Sequence, residues 1–357
     1  MTEAVILVGG RGTRLRPLTA TTPKPLLQVG GVPFLAHQLA KVREAGIDHV
    51  VLATSYRAEV FEQTFGDGSR HGVRLDYVVE TEPLDTGGAI RNVAGALTGG
   101  SGDAVVVLNG DILSGHDLGA QVRAHAQAHA DVTLHLIEVE DARAFGCVPV
   151  DDDGNVTAFL EKMPDPVTNV VNAGCYVFRR SVLDSIPTGR RVSVERETFP
   201  GLLAAGAVVR GYVESAYWRD LGSPTAYVEG SADLVLGRLP SAALPGPTGE
   251  SLVLNGASVA GSAIVHGGSV VAAGAVVGPG ATVDASVLLA GARVDGGAVV
   301  RRSTIGVGAQ VGPGTSVTDA VVGDGADTGA DNELADGLRL WTGATLPDGS
   351  VRFSGEG

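Results

Sequence analysis

From residue 253 onward an aliphatic side chain recurs every sixth residue: Val253, Val259, Val265, Val271, Val277, Val283 and Leu289 stand in one register. After a slip of phase the series resumes at Val299, Ile305, Val311 and Val317, and after a second slip at Val322, Thr328, Leu334, Leu340 and Leu346. A sustained hexapeptide period is the mark of a parallel β-helix. Each aliphatic then points into a narrow triangular prism, and small residues turn its corners. Composition agrees: 22 of the 52 glycines fall within residues 251–357, and aromatic residues, which such a prism has little room for, make up only 4% of the chain.

The first half is built differently. Buried strands are expected over 4–8, 49–53, 73–80, 104–108 and 132–139, alternating with helices over 33–45, 58–65, 86–97 and 116–130. That alternation predicts an α/β fold, Rossmann-like, with a mostly parallel sheet and helices on both faces. Ligands of such sheets bind at the carboxyl ends of the strands. Further strands over 156–159, 170–178 and 208–213 read as more antiparallel and predict a second lobe over the sheet. Residues 237–250, rich in Pro and Gly, read as a linker. The expected organisation is therefore a catalytic domain over 1–236, a linker over 237–250 and a repeat domain over 251–357.

With 357 residues and 44% hydrophobic content the chain can bury a core. A net charge of −14 argues against nucleic acid or an anionic membrane as the main partner. The early apolar run 4–8 is too short for a signal peptide or a membrane span. Cys147 and Cys175 make neither a disulfide framework nor a metal spacing, as expected of reduced thiols in the cytoplasm.

Among 26 basic residues only three are lysines: Lys24, Lys41 and Lys162. A lysine kept in so arginine-rich a chain points to a need for a compact ammonium; Lys41, on a predicted helix face, reads as an ordinary exception. The loop after the first strand reads Gly9-Gly10-Arg11-Gly12-Thr13-Arg14-Leu15-Arg16-Pro17-Leu18-Thr19, with Pro23-Lys24-Pro25 close behind. Its glycines let backbone N–H groups approach an anion. It lacks the third glycine of a dinucleotide fingerprint and the Gly-Lys-Ser/Thr of a P-loop.

With these residues the chain resembles the sugar nucleotidyltransferase family, the NDP-sugar pyrophosphorylases, over residues 3–235. It is most similar to the mannose-1-phosphate guanylyltransferases of actinobacteria. The resemblance extends through Glu82-Pro83-Leu84-Asp85-Thr86-Gly87-Gly88-Ala89, Asn109-Gly110-Asp111, Phe159-Leu160-Glu161-Lys162, Asn172-Ala173-Gly174, Val194-Glu195-Arg196-Glu197 and Tyr217-Trp218-Arg219-Asp220-Leu221-Gly222-Ser223-Pro224. The repeat resembles the left-handed hexapeptide β-helix, in which three hexapeptides make a coil, so that about five coils are expected.

The resemblance implies that a sugar 1-phosphate attacks the α-phosphorus of GTP and releases pyrophosphate, most simply mannose 1-phosphate giving GDP-mannose. Both reactants are anions, so positioning and charge neutralisation carry the catalysis. Arg14 and Lys24 are implied as the catalytic cations on the triphosphate, and Asp111 and Asp220 as the catalytic carboxylates that hold Mg²⁺, a cation that takes hard oxygen ligands. Leu7, Gly9, Gly10, Gly12, Thr13, Glu80, Glu82, Gly87, Gly88, Asn109 and Gly110 are implied at the nucleotide. Gly146, Glu161, Lys162 and Asn172 are implied at the sugar phosphate, with Lys162 on the phosphate itself.

A carboxylate can accept from both N1–H and the amino group of guanine. Glu80 and Glu82, two apart in an extended segment, point to one side. The family's usual Pro-Leu-Gly-Thr is here Pro-Leu-Asp-Thr, with Asp85 in the glycine's place. Alternatives are a related sugar or a cyclitol phosphate such as valienol 1-phosphate, or glucose 1-phosphate with dTTP or ATP. A non-catalytic regulatory subunit would be expected to lose Arg14, Lys24 or an aspartate, and all four remain. An acyltransferase site on the repeat would need a histidine, and His266 is the only one beyond residue 250. A cytoplasmic homo-oligomer, dimer or tetramer, assembled with help from the repeat, is expected.

Overall fold

The computed structural model describes residues 1–55, 57–160 and 164–352. The chain divides into two compact units that do not follow sequence order. Residues 1–10 and 38–218 form the first, and residues 11–37 and 219–357 the second. No described helix is long and apolar enough to cross a membrane.

The first unit is organised by a seven-stranded sheet. Its strands are β1 (Thr2–Leu7), β2 (His49–Thr54), β3 (Arg74–Val79), β4 (Ala104–Asn109), β5 (Val132–Glu138), β6 (Val170–Arg179) and β7 (Val209–Glu214). They lie in the order β7-β5-β6-β4-β1-β2-β3. Strands β1 to β4 are the parallel strands expected; β1, β2 and β4 are largely aliphatic and buried on both faces, whereas β3, at the sheet edge, is partly exposed. Strand order reverses between β1 and β4, so a crevice opens beyond their carboxyl ends.

Among the described residues the predicted second lobe does not form. Strand β6 lies inside the main sheet, antiparallel to both β4 and β5, and β7 closes the edge parallel to β5. Of the expected strand over 156–159 only Val156 pairs, in an isolated bridge with Val150. Apolar alternation identifies a strand; its partner is chosen by contacts remote in sequence. Tyr176 and Phe178 of β6 pack with Phe199 in the core that β6 completes.

The second unit carries the repeat, a parallel β-helix of three sheets with six, four and five strands among the described residues. Its interior column runs Val271, Val277, Val283, Leu288, Val294, Val300, Ile305, Val311, Val317 and Val322, every one at most 1% exposed. Two expected inward positions shift: Leu288 and Val300 face the interior in place of Leu289 and Val299. The cause is a five-residue corner. Ala285, Arg302 and Asp319, seventeen residues apart, turn it with φ between 43° and 51°. The next residue then donates its N–H to a serine hydroxyl of the coil before, Ser286 to Ser269, Ser303 to Ser286 and Ala320 to Ser303. Arg302 also pairs with Asp319 across one such step.

The segment 237–250 is fastened to its own unit. Ser241 Oγ lies 2.7 Å from His37 Nδ1, and Gly249 donates to the Val235 carbonyl. Residues 28–31 are held to the helix Pro224–Val235 by Tyr227 Oη on the Gln28 carbonyl and by Gly30 N–H on Ser231 Oγ.

Candidate active site

In the sheet unit two motif loops leave neighbouring strands at the reversal point. Gly110 N–H donates to the Leu7 carbonyl at 2.9 Å, and a Cβ on residue 110 would collide with that oxygen. Glycine is therefore obligatory between Asn109 and Asp111, and Asp111 leaves the strand end half-buried. Asn109 is fixed by Gln38, whose side-chain amide donates to its carbonyl at 2.7 Å. On the β1 side Gly9 packs against Ser55, whose hydroxyl donates to the Gly9 carbonyl, while Gly10 is open to solvent.

The segment after β3 carries the two glutamates. Glu80 N–H joins the Thr54 carbonyl, which keeps the carboxylate near the strand end. Burial raises its pKa, partly opposed by the Leu84 N–H and reinforced by the charge of Asp85. Glu82 is exposed.

Asp85 opens the helix Asp85–Asn92 at φ 62°, the left-handed region, with its carboxylate accepting its neighbour's N–H. Glycine is at ease there, and aspartate is among the few other residues that tolerate it. The substitution for the family's glycine thus preserves the turn. Gly87 and Gly88 are buried, and both N–H groups donate to the Val192 carbonyl. What they bring is the close approach of this helix to residues 190–194, where a Cβ would lie 2.9 Å or less from its neighbours.

Around Cys147 a third group gathers. Cys147 pairs in antiparallel bridges with both Leu160 and Val171, which sets Gly146 beside Asn172. Asn172 donates to Tyr176 Oη at 2.8 Å and accepts from Gly174 N–H. Glu161 and Lys162 lie outside the described residues.

The other unit holds the cations. Gly12, at φ 58°, starts a tight coil of three single-turn helices, Thr13–Leu15, Leu18–Ala20 and Lys24–Leu26. Thr19 Oγ1 donates to the Gly12 carbonyl at 2.7 Å, and Leu15 and Leu18, each 1% exposed, anchor the coil. Thr13 is exposed at its start.

Arg14 Nη2 stands 3.9 Å from one oxygen of Asp220, and Lys24 Nζ stands 3.8 Å from the other. The Arg14 side chain is 70% exposed and that of Lys24 only 12%, so one cation reaches into solvent and the other is largely buried. Gly222 makes the arrangement possible: a Cβ there would come within 2.5 Å of Arg14 Nη2. The motif containing Gly222 was visible in the sequence, but nothing in it assigned the residue this work. At nearly 4 Å both ion pairs are longer than hydrogen bonds, and the exposed Arg14 pair is weak in water.

Residues 3–235 match the family described as nucleotidyl transferase, and residues 248–347 match the GMPPB C-terminal domain. The mannose-1-phosphate guanylyltransferase of Mycobacterium tuberculosis is 54% identical over 355 residues, 99% of this chain and 98% of its own. A probable mannose-1-phosphate guanylyltransferase 1 of Oryza sativa subsp. japonica is 37% identical over 64% of this chain, and the match spans 63% of that protein's length. Among solved structures, HddC from Yersinia pseudotuberculosis complexed with GMP-PN shares 28% identity at a TM-score of 0.55, over 65% of this chain and 98% of that one.

Proposed function

Because the chain belongs to the nucleotidyl transferase family, we propose that it transfers the guanylyl group of GTP to mannose 1-phosphate, forming GDP-mannose and pyrophosphate. The observation that carries this reading is the pair of cations, Arg14 and Lys24, poised on the two oxygens of Asp220. A phosphate oxygen of the sugar phosphate bonds to the α-phosphorus. The bond from that phosphorus to the bridging oxygen breaks, and pyrophosphate leaves with the electron pair. Arg14 and Lys24 neutralise charge on the triphosphate and on the departing pyrophosphate. The glycine loop from Gly9 to Gly12 admits the phosphates.

Mg²⁺ is the proposed cofactor. Asp111 and Asp220 are hard oxygen donors of the kind it takes together with phosphate oxygens and waters, and when bound it would draw electron density from the α-phosphate. Each carboxylate leaves a strand end on its own unit, and the neighbouring cations keep Asp220 charge-balanced. Glu82 and Glu80 are proposed to read guanine, with support from the guanine nucleotide held by the HddC relative. Gly146, Glu161, Lys162 and Asn172 are proposed for the sugar phosphate.

The working division is a catalytic domain over 1–236, a connector over 237–250 and the β-helix over 251–357, in a cytoplasmic homo-oligomer. Light scattering on the full chain tests the assembly.

A matrix of nucleoside triphosphates against sugar 1-phosphates, read by pyrophosphate release, tests the chemistry. GTP with mannose 1-phosphate should give the highest kcat/KM. A tenfold preference for another pair, including valienol 1-phosphate with GTP or glucose 1-phosphate with dTTP or ATP, would replace this assignment. Undiminished turnover in EDTA would remove the metal.

A further inference from the structure

The β-helix reaches the phosphate loop of its own unit. Arg339 opens the short strand Arg339–Leu340 in the last described coil of the six-stranded face. Its Nη1 donates to the carbonyl of Arg14 at 2.7 Å and to that of Arg16 at 3.0 Å. One coil earlier Asp324 accepts from Thr21 Oγ1 at 2.8 Å. Between them Gly323 lies so close to Pro17 that an added Cβ would come within 3.0 Å of the ring. The loop from residue 14 to residue 21 is thus pinned at both ends and packed in the middle by one face of the repeat.

The sequence explains why an outside donor is needed. Within the single-turn helix Thr13–Leu15, the N–H of Leu15 serves Gly12 and that of Arg16 serves Thr13. The next carbonyl in that series is Arg14's, and its donor would be residue 17. Residue 17 is proline and has no N–H. The carbonyl end of a helical turn also attracts a cation. A guanidinium supplies several donors in a fixed plane, and here one of its nitrogens takes the Arg14 and Arg16 carbonyls together.

We infer that Arg339 is a positioning residue for catalysis: it fixes the backbone that aims the Arg14 guanidinium, and the β-helix serves as the floor of the phosphate loop. This role in turnover is separate from any role in assembly, and it rests on the reading above that Arg14 acts on the triphosphate. Asp220 cannot substitute for the tether, because it lies 3.9 Å from the end of the Arg14 side chain, whereas Arg339 holds the backbone.

The test uses full-length variants. Arg339→Ala should lower kcat by about 10- to 30-fold, since a displacement on the order of 1 Å at a reacting group is costly, while the KM for mannose 1-phosphate stays within about twofold. Arg339→Lys, which keeps one donor at the same place, should restore most of the loss. In an Arg14→Ala background Arg339→Ala should cost less than about threefold, because its work passes through Arg14.

Hydrogen exchange gives a readout independent of activity. Amides of residues 13–21 should exchange faster in Arg339→Ala, with the Val300 and Val317 amides of the repeat unchanged. Full activity, an additive loss with Arg14→Ala, or unchanged exchange in the loop overturns the inference. If the wild-type protein turns over no nucleotide, the functional reading fails, and the exchange measurement alone decides whether Arg339 orders the loop.

Discussion

The sheet and the β-helix solve the problem of burying a core in opposite ways. In the β-helix every strand pairs with a strand 17 or 18 residues away, as Val270 pairs with Val287 and Thr282 with Val299. Each coil touches only its neighbours, so its specification is local and repeated. In the sheet β6 must find β4, some 70 residues earlier, and insert beside it with reversed direction. A periodic pattern can be written into sequence coil by coil; a crossover is written only in the sum of distant contacts. The chemistry follows the less periodic solution, since the candidate residues stand at strand ends and in the coil 11–24, where regular pairing stops.

The largest effect that can probe this contrast is on turnover. Asp111→Asn in the sheet unit and Asp220→Asn in the repeat unit should each lower kcat/KM by at least ~100-fold, about 2.7 kcal/mol of transition-state stabilisation. Asp220→Asn also removes the carboxylate that faces Arg14 and Lys24, so it should change GTP binding measured without sugar phosphate. GTP binding unchanged by Asp220→Asn would break that link.

Next come two glycines where an added methyl would meet backbone. Gly110→Ala would press on the Leu7 carbonyl of the sheet, and Gly312→Ala on the Gly329 carbonyl of the neighbouring coil. Each should cost about 2–3 kcal/mol. Hydrogen exchange should show the damage spread through the sheet for Gly110→Ala and confined to adjacent coils for Gly312→Ala. Damage confined in both would mean the sheet is no more cooperative than the repeat.

Acid should separate the units further. Burial, reinforced by His135 and Lys41, lowers the pKa of His116 to about 2. Burial and Lys41 lower that of His135 to about 3, and burial and Arg179 lower that of His125 to about 4. All three belong to the sheet unit and are neutral when folded. Unfolded, each would take a proton below its ordinary value of 6.5. Their contribution is therefore complete above that value and is lost as pH falls toward the folded values, by about 1.4 kcal/mol per pH unit for each histidine. Melting followed by exchange at pH 7, 6 and 5 should show the sheet weakening first. The repeat unit carries His266, whose side chain is 44% exposed, and a single buried histidine, His37, whose pKa burial also lowers, against the three above in the sheet unit. Parallel weakening of both units would contradict this account.

The smallest effect concerns Asp85. Asp85→Gly should leave stability within about 1 kcal/mol of the parent, whereas Asp85→Ala, lacking a side-chain oxygen for the Thr86 N–H, should cost about 1 kcal/mol or more. Thermal melts of the two variants decide whether the left-handed turn is what aspartate preserves.

The alternating strands and helices of the first half and the hexapeptide period were legible because each residue's inward or outward facing leaves a local trace. The five-residue corner was not: Leu288 and Val300 replace Leu289 and Val299 because backbone at Ala285 and Arg302 enters a region their side chains do not advertise. At the site, the motif residues Arg14, Lys24, Asp111 and Asp220 could be picked out in the sequence. The supports could not. Val192 engages Gly87 and Gly88 from about 100 residues away, and Arg339 meets Arg14 across 325. No local pattern encodes such pairs, and the positive φ of Asp85 explains a departure from the family motif that sequence could only register.

The interleaving of the two units has a consequence for how the protein comes into being. Residues 11–37 are made well before their companions, which begin at residue 219 and run past Arg339. At synthesis rates of roughly 5–20 residues per second, the segment holding Arg14 and Lys24 waits on the order of 15–60 seconds for the coil that receives it. The sheet strands can associate during that interval. Competence is thus acquired only when the coil bearing Arg339 has been made and meets the segment 11–37. Nascent chains arrested before residue 339 should leave the loop open to protease, and chains released after it should protect it.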